Sequence, residues 1–354
     1  MLKLKSLIIE WLEAIIIALF LVLFVRVFVF EAFTIPTTSM EKTLLTGDFI
    51  IVNKISIGAR IPNTPLTIPF THQQLPFNEE IKSYLTWFNL PYYRLPGFTE
   101  IKHDDILVFN YPMDLEHPVD HKTHFIKRCV GLPGEVFEIS EGKIIINGDT
   151  LESSEKCQFN YHIKSDKEKL TSILFDSLEI TEGGKISNQG DYRIAISHKT
   201  AKDLKNLDYL HDVIPYLEKK GTFEEYIFPF NENFKWNIDH YGPVEIPQKG
   251  KTILLNLNNL PLYEKIIRFY EQNELEVEND SIFINGEFSK EYTFHLNYYF
   301  VMGDNRHFSS DSRFWGFLPE DHIIGKVAFV LFSINKKASG LSRLRWSRTF
   351  KNIE

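Results

Sequence analysis

Apolar and polar positions along the chain follow two different patterns, and the first is confined to the N-terminus. Residues 7–30 read LIIEWLEAIIIALFLVLFVRVFVF, a nearly continuous apolar run whose charged side chains lie towards its two ends. As a helix, a run of this length extends about 36 Å, enough for a hydrocarbon core of about 30 Å. The pattern therefore predicts a transmembrane anchor over residues 7–30.

A cleaved signal peptide is the alternative interpretation of this segment. The uncharged stretch from Ala14 to Val25 has only 12 residues, which also fits the apolar part of a signal peptide. A retained anchor is favoured for two reasons. No Ala-x-Ala cleavage site follows, and Ser39, a candidate catalytic residue, lies only a few residues after the segment. Lys3 and Lys5 favour a cytoplasmic N-terminus for residues 1–6, although cations also follow the segment.

Beyond the anchor, the pattern changes to short alternating runs bounded by turn residues, which is typical of strands. The pairs Asn147-Gly148 and Asn285-Gly286 close two similar runs and are typical of hairpin turns. A helical pattern occurs near Thr200–Lys219. The predicted strands are Phe49–Val52, Asp105–Asn110, Phe125–Val130 and two within Glu135–Ile146.

Residues 150–240 are more polar than the segments around them, which indicates an inserted lobe. The predicted fold class is therefore mostly β, with one N-terminal transmembrane helix. The predicted organisation is a cytoplasmic N-terminus (1–6), an anchor (7–30), a core in two parts (31–148 and 276–335), an inserted accessory lobe (149–275) and a basic C-terminal tail (336–354).

Two segments each allow two interpretations. Residues 61–100 are rich in proline and aromatic residues, which fits a packed loop or an aromatic surface at the bilayer interface. Residues 336–354 are basic, which fits a solvated tail or contact with anionic lipid headgroups.

Composition narrows the possible functions. A formal net charge of −8 leaves no overall basic footprint, so a nucleic-acid partner is not expected. The two cysteines, Cys129 and Cys157, are too few for a zinc site or a disulfide framework. Because Cys129 lies in an apolar strand-like run, we expect it to be a buried free thiol.

Ser39 and Lys127 are the candidate chemical groups. Ser39 lies just after the anchor in a Thr-rich turn, and a serine needs a base to become a nucleophile. No Gly-x-Ser-x-Gly motif is present. A lysine, with an ordinary pKa of about 10.4, becomes a base when burial lowers that pKa, and Lys127 shares its strand face with Phe125 and Cys129. Taken alone, structural roles are favoured for both residues: a serine in a Thr-rich turn is more often structural than catalytic, and Lys127 would be an exposed strand lysine.

Four segments, in this order, resemble the bacterial type I signal peptidases (leader peptidases), which are serine proteases with a Ser-Lys dyad. Together with the anchor, the similarity covers about half of the chain. The segments are IPTTSM (35–40) with LLTGD (44–48), DDILVFNYP (104–112), FIKRCVGLPG (125–134) and MGDNRHFSSDSRFWG (302–316).

The resemblance implies a role for each matching residue. Ser39 would attack the scissile carbonyl, and neutral Lys127 would accept the serine proton. The Ser39 backbone N–H and the Thr37 hydroxyl would form the oxyanion hole, and Ser309 would orient Lys127. No metal or organic cofactor is implied. The supporting polar network would comprise Arg128, Asp304, Asp311 and Arg313.

The resemblance also implies a fold, a substrate and a location. The fold would be a signal-peptidase-type antiparallel β catalytic domain that binds its substrate by strand addition. The enzyme would remove signal peptides from exported preproteins after small-x-small sites. Its partners would be those preproteins and the lipid bilayer, with the export machinery as a further candidate. It would lie in the bacterial cytoplasmic (inner) membrane, with its catalytic domain on the periplasmic face.

The chain departs from the family pattern at three places. His103-Asp104-Asp105 stands where Arg-Gly-Asp is common, and His307-Phe308 where Asp-Asn is common. Thr37 stands where serine is frequent, and its methyl group restricts the hydroxyl rotamer.

Three other functions compete with a signal peptidase. Ser39 and Lys42 satisfy the Ser-x-x-Lys motif of penicillin-interacting enzymes, but no Ser-Asp-Asn-like or Lys-Thr-Gly element accompanies it. A non-catalytic membrane-anchored scaffold would have no need of both Ser39 and Lys127. A self-cleaving Ser-Lys repressor would carry a DNA-binding module where this chain has an anchor.

Overall fold

A computed structural model describes residues 2–165, 175, 178–187 and 190–353. The helices are α1 (Leu2–Phe28), α2 (His198–Leu204), α3 (Leu260–Lys265) and α4 (Ser312–Trp315). The strands are β1 (Phe30–Thr34), β2 (Asp48–Asn53), β3 (Gln74–Leu75), β4 (Asn78–Lys82), β5 (Ile106–Asn110), β6 (His124–Gly131), β7 (Val136–Ser140), β8 (Lys143–Ile146), β9 (Asp149–Leu151), β10 (Gln158–Ser165), β11 (Gly183–Lys185), β12 (Asp191–Ser197), β13 (Leu210–Pro215), β14 (Tyr241–Glu245), β15 (Thr252–Leu254), β16 (Leu275–Glu278), β17 (Ser281–Ile284), β18 (Glu287–Phe288), β19 (Glu291–Thr293), β20 (Tyr298–Met302), β21 (Leu318–Pro319), β22 (Ile323–Ser333) and β23 (Lys351–Asn352).

The N-terminal apolar run forms one helix, α1. Its stretch Ile8–Phe28 is long and apolar enough to cross a membrane, with a mean hydropathy of 2.6, and none of it is buried against the rest of the protein. The predicted apolar helix is therefore confirmed. Its C-terminal end falls slightly earlier than predicted, because β1 begins at Phe30.

The main sheet is antiparallel and has the strand order β1-β2-β22-β5-β6-β20-β21, with β23 paired to β22. Successive side chains of a strand point to opposite faces, and both faces of β5 are buried. Ile106 and Val108 pack in one cluster with Met40, while Leu107 and Phe109 pack in another with Trp315. The predicted β-rich fold class is confirmed.

The two predicted hairpin turns are present. Asn147 and Gly148 have φ values of 53° and 93° between β8 and β9, and Asn285 and Gly286 have 53° and 80° between β17 and β18. A two-residue turn with positive φ at both positions matches the twist of the strands that it joins.

A second antiparallel sheet, β14-β7-β8-β9, shares its core with residues from both sides of the predicted lobe boundaries. Phe137 and Ile144 pack in one cluster with Tyr241, Tyr263 and Phe300. The hydrophobic core is thus continuous across positions 149 and 275. The division of the chain at these positions remains a prediction.

A third sheet, β11-β12-β10-β13, is here called the inserted sheet, and it buries a separate cluster that includes Ile163 and Ile194. The helix predicted near Thr200–Lys219 is wrong for most of that range. Only α2 is helical, and β13 then pairs with β10. Pro215 explains part of the difference, because proline cannot occupy the interior of a helix without breaking it.

Residues 61–100 expose large aromatic side chains around the β3–β4 hairpin. Phe77, Trp87 and Phe98 are 100%, 85% and 83% exposed. The packed-loop interpretation is wrong for these three rings, and the bilayer-facing interpretation stays a prediction. Both cysteines are free and buried, which confirms the expectation for Cys129.

The basic C-terminal segment is docked on the main sheet. Arg348 is buried and donates two hydrogen bonds to the Asp48 carboxylate, at 3.0 and 2.5 Å, and one to the Thr43 carbonyl at 2.9 Å. Arg345 donates to the Thr46 carbonyl at 3.0 Å. The interpretation as a solvated tail is wrong for these two arginines, because their guanidinium groups satisfy backbone and carboxylate oxygens at the start of β2.

Replacing Arg348 by alanine is expected to destabilise the fold strongly. The substitution leaves the fully buried Asp48 carboxylate without its cation, and breaking a buried ion pair in this way costs about 3–5 kcal/mol. Thermal unfolding in detergent measures the loss. The exposed Arg343 provides the control, and Arg343→Ala is expected to change stability by less than about 0.5 kcal/mol. Equal melting temperatures for the two variants would contradict the structural role of the Arg348–Asp48 pair.

Candidate functional site

Ser39 and Lys127 lie side by side, although 88 residues separate them in the chain. Lys127 Nζ donates a hydrogen bond to Ser39 Oγ at 2.9 Å. Ser39 lies in the turn between β1 and β2, and its neighbours Ile35 and Met40 are buried and fix the turn to the sheet. Lys127 projects from β6. The fold therefore brings together the two candidate groups that the sequence singled out.

The Lys127 amine lies in an apolar environment and is only 4% exposed. Its other hydrogen bond is to the Ile126 carbonyl at 3.0 Å, and the Phe125 ring centroid lies 5.4 Å from Nζ. Burial lowers the pKa of Lys127 to about 8, although the charges of Asp311 and Asp304 oppose the shift. The interpretation of Lys127 as an exposed strand lysine is thereby excluded.

Thr37 and Ser309 also lie near Ser39. Thr37 Oγ1 is 3.5 Å from Ser39 Oγ, and Thr37 is exposed. The Ser309 hydroxyl is buried and has no hydrogen-bond partner within the described part of the chain, so the predicted bond from Ser309 to Lys127 is absent. The orienting role of Ser309 stays a prediction.

Arg128 and Asp304 form a fully buried pair behind the site. Arg128 Nε and Nη2 donate to the two carboxylate oxygens of Asp304 at 2.8 and 2.7 Å. Thr43 Oγ1 donates to the same carboxylate at 2.5 Å. Burial alone would raise the pKa of Asp304, but the Arg128 hydrogen bonds and charge hold it below its ordinary value. Asp304 is therefore ionised, and the positive charge of Arg128 balances its negative charge.

Asp311 and Arg313 form a second buried pair. Arg313 Nε and Nη2 donate to the Asp311 carboxylate at 2.9 and 2.8 Å, and the Gly303 N–H donates to it at 3.1 Å. Burial would raise the pKa of Asp311, but the Arg313 charge lowers it below its ordinary value. Asp311 also caps the N-terminus of α4 by accepting the Arg313 N–H. These four charged residues form two buried ion pairs, and their role as a supporting network stays a prediction.

Asn305 joins this network to the serine turn. Its backbone N–H donates to the Ser39 carbonyl at 3.1 Å, and its side-chain amide donates to the Thr38 carbonyl at 3.3 Å. Sequence reasoning did not single out Asn305 or Thr43. Asn305 lies inside a segment that carries the resemblance, and Thr43 lies between two such segments, so position in or next to those segments was the available signal.

The departures from the family pattern have local explanations. His307 is buried between the Asp239 carboxylate, at 3.2 Å, and the Asn160 N–H, which donates to it at 3.2 Å. His103 contacts the Glu135 carboxylate at 2.9 Å. Asp104, where a glycine is common, has φ of 69°, a left-handed conformation that aspartate tolerates better than most residues.

Lys42 points away from this arrangement. Its amine donates to the Leu178 and Glu179 carbonyls at 3.1 and 3.0 Å. Residues 39–43 form turns, and no helix begins at Ser39 as the Ser-x-x-Lys enzymes require. The penicillin-interacting alternative requires Lys42 to contact Ser39. That expectation is wrong, because the lysine that contacts Ser39 is Lys127.

Two strand edges lie close to Ser39. β1 is the terminal strand of the main sheet, and residues 124–127 of β6 pair with β5 on one side only, because β20 pairs with residues 128–131. Phe33 of β1 and His124 of β6 are in edge-to-face contact, with ring centroids 5.0 Å apart, so the two edges approach each other. Unpaired backbone groups on both edges can accept an extended peptide. Among the described residues, no group of three metal-ligating side chains is suited to hold a metal ion.

Comparison with known proteins identifies the class to which this fold and site belong. The family model for signal peptidase, peptidase S26, matches residues 8–206 and 244–332. This match spans more than half of the chain, so the protein belongs to the signal peptidase family of serine peptidases.

Similar relatives carry the same name across distant bacteria. Signal peptidase I of Buchnera aphidicola (subsp. Baizongia pistaciae) is 28% identical over 327 residues, which is 90% of this chain and 75% of that protein. The Haemophilus influenzae signal peptidase I is 26% identical, covering 98% and 76% of the two chains. The Aquifex aeolicus signal peptidase I is 27% identical, covering 90% and 81%. The chain is accordingly a membrane serine signal peptidase.

Replacing Gly303 by alanine is expected to disturb the serine turn. A Cβ at Gly303 would lie 2.6 Å from the Ser39 carbonyl oxygen and closer still to the Ser309 side chain. Overpacking of this kind costs about 1–3 kcal/mol, and the displacement of Ser39 should also slow preprotein cleavage. Thermal unfolding and cleavage rates measure both effects.

Gly184 provides the control for that substitution. A Cβ at Gly184 would have no neighbour within 4 Å, so Gly184→Ala should behave like the unmodified protein in both assays. A Gly303→Ala enzyme with unchanged stability and rate would show that the serine turn tolerates displacement.

Proposed function

We propose that Ser39 is the nucleophile and Lys127 the general base in signal-peptide removal by this enzyme. The observation that carries the proposal is the 2.9 Å contact between Ser39 Oγ and a buried Lys127 amine. Burial favours the neutral amine, which can accept a proton at near-neutral pH.

Acylation starts with the transfer of the Ser39 hydroxyl proton to Lys127 Nζ. Ser39 Oγ then bonds to the scissile carbonyl carbon, and the carbonyl oxygen becomes an oxyanion. The Ser39 N–H and the Thr37 hydroxyl stabilise that charge as it develops. When the C–N bond breaks, the Lys127 ammonium protonates the leaving amine, and an ester of Ser39 with the signal peptide remains.

Deacylation repeats these steps with water as the nucleophile. Neutral Lys127 takes a proton from water, the hydroxide attacks the ester, and Lys127 returns the proton to Ser39 Oγ. Ser309, whose hydroxyl has no hydrogen-bond partner within the described part of the chain, would orient the lysine only by forming a bond that the structure lacks. Two ion pairs hold the surrounding loops in place, Arg128 with Asp304 and Arg313 with Asp311. In each pair the arginine balances the negative charge of the aspartate.

The preprotein substrate binds as an added strand at the free edges of β1 and β6. Strand addition places alternate side chains towards the enzyme, and shallow pockets at two alternate positions select small-x-small sequences. The unpaired edges of β1 and residues 124–127 support this mode of binding.

The membrane arrangement follows from α1. Retained as an anchor, α1 spans the bacterial cytoplasmic (inner) membrane with residues 1–6 inside and the rest of the chain on the periplasmic face. The catalytic core comprises residues 31–148 and 276–335, with residues 149–275 as an accessory lobe. The anchor restricts the protease to the surface where preproteins, and the export machinery that delivers them, are located.

The first test is the replacement of each dyad residue. Ser39→Ala and Lys127→Ala are each expected to lower preprotein cleavage in detergent by at least about a hundredfold, because the nucleophile or its base is removed. Lys42→Ala is the matched control, since Lys42 contacts Leu178 and Glu179 and lies outside the proposed dyad. A Lys127→Ala enzyme that cuts like Lys42→Ala would overturn the assignment of the base.

The pH dependence of cleavage tests the state of the base. Only neutral Lys127 accepts the proton, so kcat/KM should rise about tenfold per pH unit below pH 8 and level off above about pH 8, the folded pKa. Deprotonation raises the rate, so the profile must climb with pH. Measuring kcat/KM from pH 6 to pH 10 gives the midpoint, with Lys42→Ala expected to follow the same curve. A flat profile between pH 6 and pH 8 would contradict a lysine base.

A further inference from the structure

The edge of the inserted sheet lies directly against the turn that carries Ser39. Thr38 Oγ1 donates a hydrogen bond to Glu182 Oε1 at 2.7 Å, although the two residues are 144 positions apart. A second contact lies close by, where Lys42 Nζ donates to the carbonyls of Leu178 and Glu179. The immediate neighbour of Ser39 is thus held by a carboxylate from a different sheet.

Glu182 is well fixed for this contact. Its backbone carbonyl accepts the Ala195 N–H of β12 at 3.1 Å, and β11 follows it immediately and pairs with β12. β12 in turn pairs with β10 along seven residues over the buried cluster of the inserted sheet. A half-buried carboxylate on a supported strand offers a strong, charge-assisted acceptor to the Thr38 hydroxyl.

Another strand of the same sheet, β10, contacts the other loop of the site. At the start of β10, the Gln158 N–H donates to the Asp304 carbonyl at 2.8 Å, and the Arg306 N–H donates to the Gln158 carbonyl at 2.9 Å. Asn305, between them, contacts the Ser39 carbonyl. The inserted sheet therefore connects the serine turn to the loop that carries the Asp304 network.

We propose that Glu182 is a positioning residue for cleavage, acting through the Thr38 hydroxyl. Threonine is β-branched, so fixing its hydroxyl restricts its own backbone and that of its neighbours, Thr37 and Ser39. Those neighbours supply the hydroxyl and the N–H of the oxyanion hole, a function that rests on the proposed mechanism. Oxyanion donors act mainly on charge that develops in the transition state, so loss of the Thr38–Glu182 bond should lower kcat.

Glu182→Ala and Thr38→Val test this role in the full-length enzyme with a preprotein substrate. Each should lower kcat about tenfold, as expected for loss of a hydrogen bond to a charged group, and leave KM within about twofold. Both substitutions remove the same bond, so the double variant should be no slower than the slower single variant. Glu182→Gln keeps an acceptor oxygen and should retain most of the activity.

Glu179→Ala is the matched control, because it removes the same charge three residues away. The Glu179 side chain is 75% exposed and reaches Lys42, not Thr38, so this variant should cut like the unmodified enzyme. Thermal unfolding of each variant separates a loss of fold from a loss of rate.

Three results would overturn the positioning role: equal kcat for Glu182→Ala and Glu179→Ala, a loss confined to KM, or a double variant whose loss is the product of the single losses. Failure of the underlying mechanism looks different. If Ser39→Ala still cuts preproteins, both the mechanism and the positioning role are wrong, whatever Glu182→Ala does.

Discussion

The contact between a buried lysine amine and a serine hydroxyl is the constraint on which the rest of the site depends. An amine without a carboxylate partner is costly to bury as a cation, so burial favours the neutral form of Lys127. Two carboxylates nevertheless lie close enough to raise its pKa, those of Asp311 and Asp304. Each is paired with an arginine, and this pairing cancels much of the charge that would otherwise keep the lysine protonated. In the proposed mechanism, the two buried ion pairs therefore serve the chemistry as well as the packing.

The same ion pairs fix the loop 302–313, because the carboxylates of Asp304 and Asp311 accept several further hydrogen bonds. Asp304 accepts from Arg128 and Thr43, which tie the loop to β6 and to the segment before β2. Asp311 accepts the Gly303 N–H, which closes the loop on itself. Because an unpaired buried charge costs several kcal/mol, each of these bonds restricts the loop to one conformation. Asn305 belongs to this loop and binds the carbonyls of Thr38 and Ser39, so a fixed loop also restricts the position of the serine turn.

Sequence patterns predicted the parts of this protein that depend on local information. The apolar run of α1, the strands around Lys127 and the two Asn-Gly hairpins follow from periodicity and turn chemistry. The proximity of Ser39 and Lys127 does not follow from such local patterns, because it arises from strand pairing between distant segments. Only the resemblance to the signal peptidases connected the two residues. The docked arginines of the C-terminal segment were missed since their partners lie about 300 residues earlier. The helix expected after Thr200 ended early because pairing with β10 and Pro215 outweighed a local pattern.

The serine turn must satisfy two opposing requirements. In the proposed mechanism, its hydroxyl and backbone N–H have to be open to the substrate, so nothing can cover them from that side. Every restraint on the turn must therefore come from behind or from the flanks. Ile35 and Met40 are buried under it, Asn305 binds its carbonyls, and Glu182 binds the hydroxyl of Thr38. The inserted sheet, which is distant in the sequence, is a suitable source of the last restraint, because it contacts the turn at Thr38 and leaves Ser39 itself free of that contact.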